Sequence, residues 1–126
     1  MTMTLYGIPN CDSVKKARVW LTEQALPYDF VDFKKGGAPT ERLPVWAEAV
    51  GWDKLINRKG STWRQLSAAQ QLQATTPAGA LALALALPSV IKRPVVEWHS
   101  ARWTGEDVTV GFNATLWSES LHSLAK

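Results

Sequence analysis

Cys11 is the one cysteine among the 126 residues, and its surroundings point to chemistry. It follows Met3 to Gly7, a short apolar and aromatic stretch closed by Gly7 and Pro9. It precedes Asp12 and Ser13, both helix-starting residues. The open N–H groups of a first helical turn and the positive end of the helix dipole favour an anion. A thiol placed there should ionise more readily than usual, and the thiolate is the nucleophilic form. Lys15, one turn on, adds positive charge, whereas Asp12 opposes ionisation while suiting the helix start. A lone cysteine is otherwise most often a small buried hydrophobe; the position just ahead of a helix argues against that. Val14 stands three residues on, so there is no CxxC pair. A thiolate alone can attack a disulfide or oxidised substrate, and the mixed adduct must then be resolved by an outside thiol such as glutathione.

Two arginines are the next candidates. Arg58 lies in the loop Ile56-Asn57-Arg58-Lys59-Gly60, and Arg93 in Ile91-Lys92-Arg93-Pro94, just ahead of a strand. A guanidinium grips carboxylates and oxyanions at two points. From spacing alone each reads as a surface residue. Pro94, entering a strand, is a candidate for a cis peptide bond. The densest basic cluster, Lys15, Lys16 and Arg18, suits a solvated helix face as well as an anion site. His99 and His122 are too few and too far apart for a metal centre, so no metal is expected. The seven Trp are scattered and read as packing residues, not as a base-stacking platform.

Composition narrows the class. The net charge is +3 and no basic run reaches five residues, so nucleic-acid binding is not suggested. Hydrophobic residues make up 46%, enough for one core, so a single domain over 1–126 is expected. The longest apolar run, Ala78 to Pro88, is about half of a membrane span. No membrane partner is expected, and Met1 to Gly7 is too short for a secretory signal. A reducing cytoplasm is the expected compartment.

The elements that must position these residues follow from periodicity. Met3 to Gly7 reads as a strand. A helix from Asp12 or Ser13 to about Ala25 carries Val14, Ala17 and Leu21 on one face. Tyr28 to Phe33 reads as a second strand, parallel to the first because a helix joins them, and 34–37 as a turn or hinge. The middle is helical: Thr40 to Val50, two capping-box starts at Thr62/Gln65 and Ser67/Gln70, and Pro77 to Leu87, with Lys54 to Gly60 irregular. Residues 80 to 87 alternate Ala and Leu like a strand, yet both are strong helix formers without β-branching. Pro94 to Trp98 and Val108 to Phe112 read as paired strands. Asn113 or Thr115 then caps a helix carrying Trp117, Leu121 and Leu124. The expected architecture is α/β, a thioredoxin-like fold of βαβ and ββα halves with a helical insertion over about 38–87.

Leu5-Tyr6-Gly7-Ile8-Pro9-Asn10-Cys11 with Val14-Lys15-Lys16-Ala17 resembles the N-terminal signature of the arsenate reductase/Spx family. Asn57-Arg58-Lys59-Gly60 with Trp63, Pro88 to Val96, and Val110-Gly111-Phe112 resemble its later motifs, in order and over nearly the whole chain. The nearest branch is YffB-like. The resemblance implies a thioredoxin fold with an insertion, Cys11 as nucleophile, Arg58 and Arg93 lining an anion pocket, and a cis Pro94. Asn10, Ser13 and Lys15, around the cysteine in the first motif, join the candidate anion-binding group. Arsenate reductases of the glutaredoxin-linked type carry a His shortly before the cysteine; here the stretch reads Gly7-Ile8-Pro9-Asn10. Spx-type regulators usually carry CxxC. The function implied is a monothiol reductase with glutathione as co-substrate and no bound cofactor, acting on a small-molecule or protein disulfide. The alternatives are arsenate reduction, or an Spx-like regulator that binds the RNA polymerase α subunit.

Overall fold

The structure, a computed structural model, describes residues 3–121. In chain order the elements begin with β1 (Met3–Gly7), α1 (Asp12–Glu23), β2 (Tyr28–Asp32), α2 (Phe33–Gly36), α3 (Leu43–Val50), α4 (Trp52–Leu55) and α5 (Ser61–Arg64). They continue with α6 (Ala68–Gln73), α7 (Pro77–Ala86), a 3-10 turn (Pro88–Val90), β3 (Val95–Glu97), β4 (Val108–Val110) and α8 (Ala114–Ser120). The described chain forms two compact units, one of residues 3–32 and 93–121, the other of residues 33–92.

The first unit holds the whole sheet, in the order β2-β1-β3-β4. β1 and β2 run parallel with Met3 opposite Tyr28 and Gly7 opposite Asp32. β3 is antiparallel to both β1 and β4. A βαβ half and a ββα half thus share one sheet, which is the thioredoxin-like arrangement. Met3, Leu5, Val96 and Trp98 on the sheet meet Val14, Ala17, Trp20 and Leu21 of α1 and Trp117 of α8 in one buried cluster. Aromatic rings dominate it. Trp98 stacks on Trp103 at 3.6 Å between centroids, and Trp117 meets Trp20, Trp98 and Phe112 in T-shaped contacts. Such edge and stacked contacts add to the area these rings bury.

α1 ends at Glu23, two residues short of the expected boundary, because Ala25 turns left-handed at φ 55°. The Leu26 N–H donates to Leu21 O and the Ala25 N–H to Thr22 O, the paired bonds of a Schellman closure. Arg102 Nη1 donates to Gln24 O at 2.8 Å and satisfies another end carbonyl. Arg18, read from sequence as part of a basic face, instead braces the sheet. Its Nε donates to Tyr28 Oη at 2.8 Å and its guanidinium lies 4.2 Å over the Phe30 ring. On the far side of β1, Tyr6 Oη donates to Glu97 Oε1 at 2.8 Å, and Glu97 is only 5% exposed.

The second unit is helical. Phe33 leaves the strand path and starts α2, its ring buried against Trp46 of α3. Residues 33–36, expected as strand end and turn, are therefore a single helical turn, closed by Gly37 at φ 74°. The Ser67/Gln70 capping box forms in full. The Thr62/Gln65 box does not, because extended Gly60 starts α5 one residue early and places Thr62 inside it. α7 is a helix despite its strand-like alternation. Thr76 caps it through the Gly79 N–H, and Ala80, Leu83 and Ala84 form its buried face.

Asn113 caps α8, accepting from the Leu116 N–H at 3.0 Å. Leu121, expected on that helix, instead bridges Trp103. Leu124 and His122 lie outside the described residues. Among the described residues no helix is long and apolar enough to cross a membrane, and no three His, Cys, Asp or Glu side chains are grouped to hold a metal ion.

Candidate active site

The site begins at Gly7. A Cβ there would stand 2.7 Å from Val14 Cγ2, so only glycine lets the first turn of α1 lie this close to the end of β1. Ile8, Pro9 and Asn10 make the turn between them, and Cys11 is the residue that precedes the helix, with extended backbone (φ −128°, ψ 127°). Its carbonyl accepts from the Lys15 N–H at 2.9 Å, closing the first turn. The side chain is half-buried and packs on the same aromatic cluster as Phe112.

The thiol does not cap the helix with an ordinary hydrogen bond; the first turn acts on its ionised form. Partial burial is the largest single influence and resists ionisation. The Val14 N–H, the Arg93 guanidinium through both a hydrogen bond and its charge, and the Ser13 N–H act the other way and together outweigh it. The net effect lowers the thiol pKa from its ordinary value. Arg93 is brought there by the segment entering β3. The Arg93–Pro94 bond is cis, and Pro94 O accepts from the Gly111 N–H at 2.9 Å, which ties the segment to the end of β4.

The structure thus brings together Cys11, the Ser13 and Val14 N–H groups of the first turn, which are the open donors the sequence leads one to expect, and Arg93. Lys15 Nζ reaches Asn10 Oδ1, on the residue before the cysteine, at 3.5 Å. Asn10 and Ser13 are exposed beside the cysteine. Arg58 stands in the second unit, where Asp53 Oδ1 accepts from its Nη1 at 3.0 Å and its guanidinium lies 5.4 Å over the Trp63 ring. Alongside α1, Lys15, Lys16, Val19, Trp20 and Glu23 line a groove of about 310 Å³ with Phe112. A thiolate with a guanidinium partner can attack a sulfur or other electrophile and can hold an anionic group beside it.

The ArsC family model matches residues 6–119. The chain belongs to the ArsC family. It has the thioredoxin-like fold of that family, and family and thiol together support an oxidoreductase that works through a thiol. A solved structure of a protein named YffB is 43% identical, covers 95% of this chain and 99% of its own, and superposes with a TM-score of 0.81. An arsenate reductase (ArsC) related protein from Brucella melitensis is 39% identical over 94% of this chain and 93% of its own, with a TM-score of 0.71. An uncharacterised Haemophilus influenzae protein is 36% identical over 96 residues, 75% of this chain and 82% of that one.

Proposed function

We propose that this ArsC-family protein is a glutathione-dependent monothiol reductase of the cytoplasm. The observation that carries the reading is the Cys11 thiol, its pKa lowered by the Val14 and Ser13 N–H groups and by Arg93 against the pull of burial. The Cys11 thiolate attacks one sulfur of a disulfide; a new S–S bond forms to Cys11, the old one breaks, and the second sulfur leaves as a thiolate. Glutathione thiolate then attacks the substrate sulfur of the mixed disulfide; an S–S bond to glutathione forms, the bond to Cys11 breaks and Cys11 leaves as the thiolate. A second glutathione frees the substrate thiol as oxidised glutathione forms, so the two reducing electrons come from two glutathiones. Arg93 holds an anionic group of the incoming partner, and Arg58 is assigned a second carboxylate on the strength of the family motif. Asn10, Ser13 and Lys15 complete the polar surround.

The test is adduct formation followed by intact mass, with oxidised glutathione and with a neutral disulfide of similar size. Arg58→Ala and Arg93→Ala should slow the glutathione reaction, Arg93→Ala also slowing the neutral one because it raises the thiol pKa. Arg58→Ala should spare the neutral reaction. Equal rates for both disulfides in every variant would remove the glutathione assignment, and a Cys11→Ser protein that still turns over would remove the mechanism. Arsenate belongs in the same assay, because one solved relative is described as arsenate reductase related and a guanidinium beside a thiolate also suits an oxyanion.

A further inference from the structure

The groove along α1 has no part in the attack at sulfur, yet it starts one helical turn from Cys11. Lys15 and Lys16 stand at the end near the cysteine, Val19 and Trp20 in the middle, and Glu23 at the far end, with Phe112 as the opposite wall. These α1 positions step by about one turn and share a face. Trp20 is 8% exposed and forms part of the floor, while Val19 is 58% exposed, an apolar side chain presented to solvent. Phe112 and Cys11 pack on the same buried cluster, so the groove and the sulfur share one base. From residue 15 to residue 23 a helix advances about 12 Å at its usual rise, which matches three to four residues of extended chain at roughly 3.3 Å each.

We propose that this groove reads the polypeptide segment flanking the oxidised cysteine of a protein substrate. The charge order specifies that segment: an acidic residue next to the reacting cysteine against Lys15 and Lys16, an apolar residue on Val19, Trp20 and Phe112, and a basic residue opposite Glu23. Glutathione carries the acids but no apolar side chain for the floor, so the groove selects a protein and leaves glutathione to the later, resolving attack. This inference rests on Cys11 being the nucleophile proposed above.

Two peptides of one composition test it, with the order Cys-Glu-Leu-Lys or Cys-Lys-Leu-Glu, each also made in the reverse chain direction. Each cysteine is carried as a mixed disulfide with 5-thio-2-nitrobenzoate. Cys11 thiolate attacks the peptide sulfur, the S–S bond breaks, and the coloured thiolate leaves with the electron pair. The peptide with Glu beside Cys should react about fivefold faster or more in one direction, as expected for two or three exposed charge contacts, the apolar contact being common to both orders. Lys16→Glu should erase that preference and Val19→Asp should slow both peptides, both changes being at exposed positions and leaving the rate with a small neutral disulfide unchanged. Equal rates for the two orders, a preference that survives Lys16→Glu, or peptide rates that Val19→Asp leaves unchanged, overturns the groove. The matching peptides with Ser for Cys give a readout independent of thiol chemistry: binding seen as a shift of the Trp20 indole signal. Ordered binding with an inert Cys11 would sink the reductase and keep the groove; a reactive Cys11 with no difference in binding or rate would do the reverse.

Discussion

Gly7→Ala should damage the fold and the thiol together. The new Cβ would sit 2.7 Å from Val14 Cγ2, 3.5 Å from Cγ1 and 3.7 Å from Cβ. Ordinary carbon contacts lie at about 3.5–4.0 Å, so Val14 must retreat by about 0.8 Å or more. It cannot swing aside, because it is fully buried and a β-branched side chain on a helix has one strongly preferred rotamer. The first turn of α1 must move instead, at an overpacking cost of about 1–3 kcal/mol. For a domain of this size, 2 kcal/mol corresponds to a fall in Tm of roughly 6–12 °C. The same movement takes the Val14 N–H from the sulfur, so the Cys11 pKa should rise and the alkylation profile shift to higher pH. Val14→Ala alone deletes two buried methyl groups, at about 1.5–3 kcal/mol including the cavity. If the clash is the cause, the double variant should be no worse than Val14→Ala, a coupling of about 1–3 kcal/mol. Its alkylation profile should return toward wild type. Thermal unfolding and iodoacetamide rates against pH measure both. Additive losses, or a Gly7→Ala protein with unchanged Tm and profile, would refute the reasoning.

Arg93→Ala should raise the thiol pKa by removing a hydrogen bond and a positive charge, and Arg93→Lys should restore part of the effect; an alkylation profile identical to wild type in both would break the link between the two residues. Because the folded thiol pKa is lowered, the unfolded chain binds more protons between that value and about 8.5, so this contribution to stability grows with pH across the window, is complete above it, and is lost as pH falls through the folded value. The stability difference between wild type and Cys11→Ser, measured by denaturant unfolding, should therefore widen as pH rises to about 8.5, and a flat difference would contradict it. Ala25→Gly should stabilise the protein by about 0.5–1 kcal/mol, since glycine takes the left-handed position at the end of α1 without a Cβ penalty; a loss of stability would mean that another contact fixes this turn. Tyr6→Phe should cost about 1–3 kcal/mol by leaving buried Glu97 short of a donor, read from the urea midpoint.

Much of the architecture follows from local rules. Period-3.6 spacing of Val14, Ala17 and Leu21 marks α1, the Ser67/Gln70 box marks α6, and Asn113 marks the start of α8. Each is a contact between residues a few positions apart, so the chain declares it without help from the fold. The boundaries that shift do so where distant partners decide. Phe33 abandons the strand because its ring is buried on Trp46, and Leu121 leaves the helical path to bridge Trp103. Arg18 looks like surface charge until Tyr28 and Phe30 come beneath it.

The sequence by itself determined that a lone thiol would stand at the start of a helix, because Gly7, Pro9 and the helix-starting residues after Cys11 are neighbours in the chain. It also determined the βαβ and ββα order, since hydrophobic period and turn residues are local properties. Tertiary structure alone decided which side chain faces the sulfur from afar. Arg93 is 82 residues from Cys11 in the numbering, and only the antiparallel pairing of β3 with β1 brings the segment before β3 to the end of β1 where α1 begins. The pairing supplies Arg93, whereas the Val14 and Ser13 N–H groups that also act on the thiolate belong to the local first turn of α1. The electrostatic interaction that lowers a thiol pKa depends on distance in space, so Arg93 acts on the thiolate although it is remote along the chain.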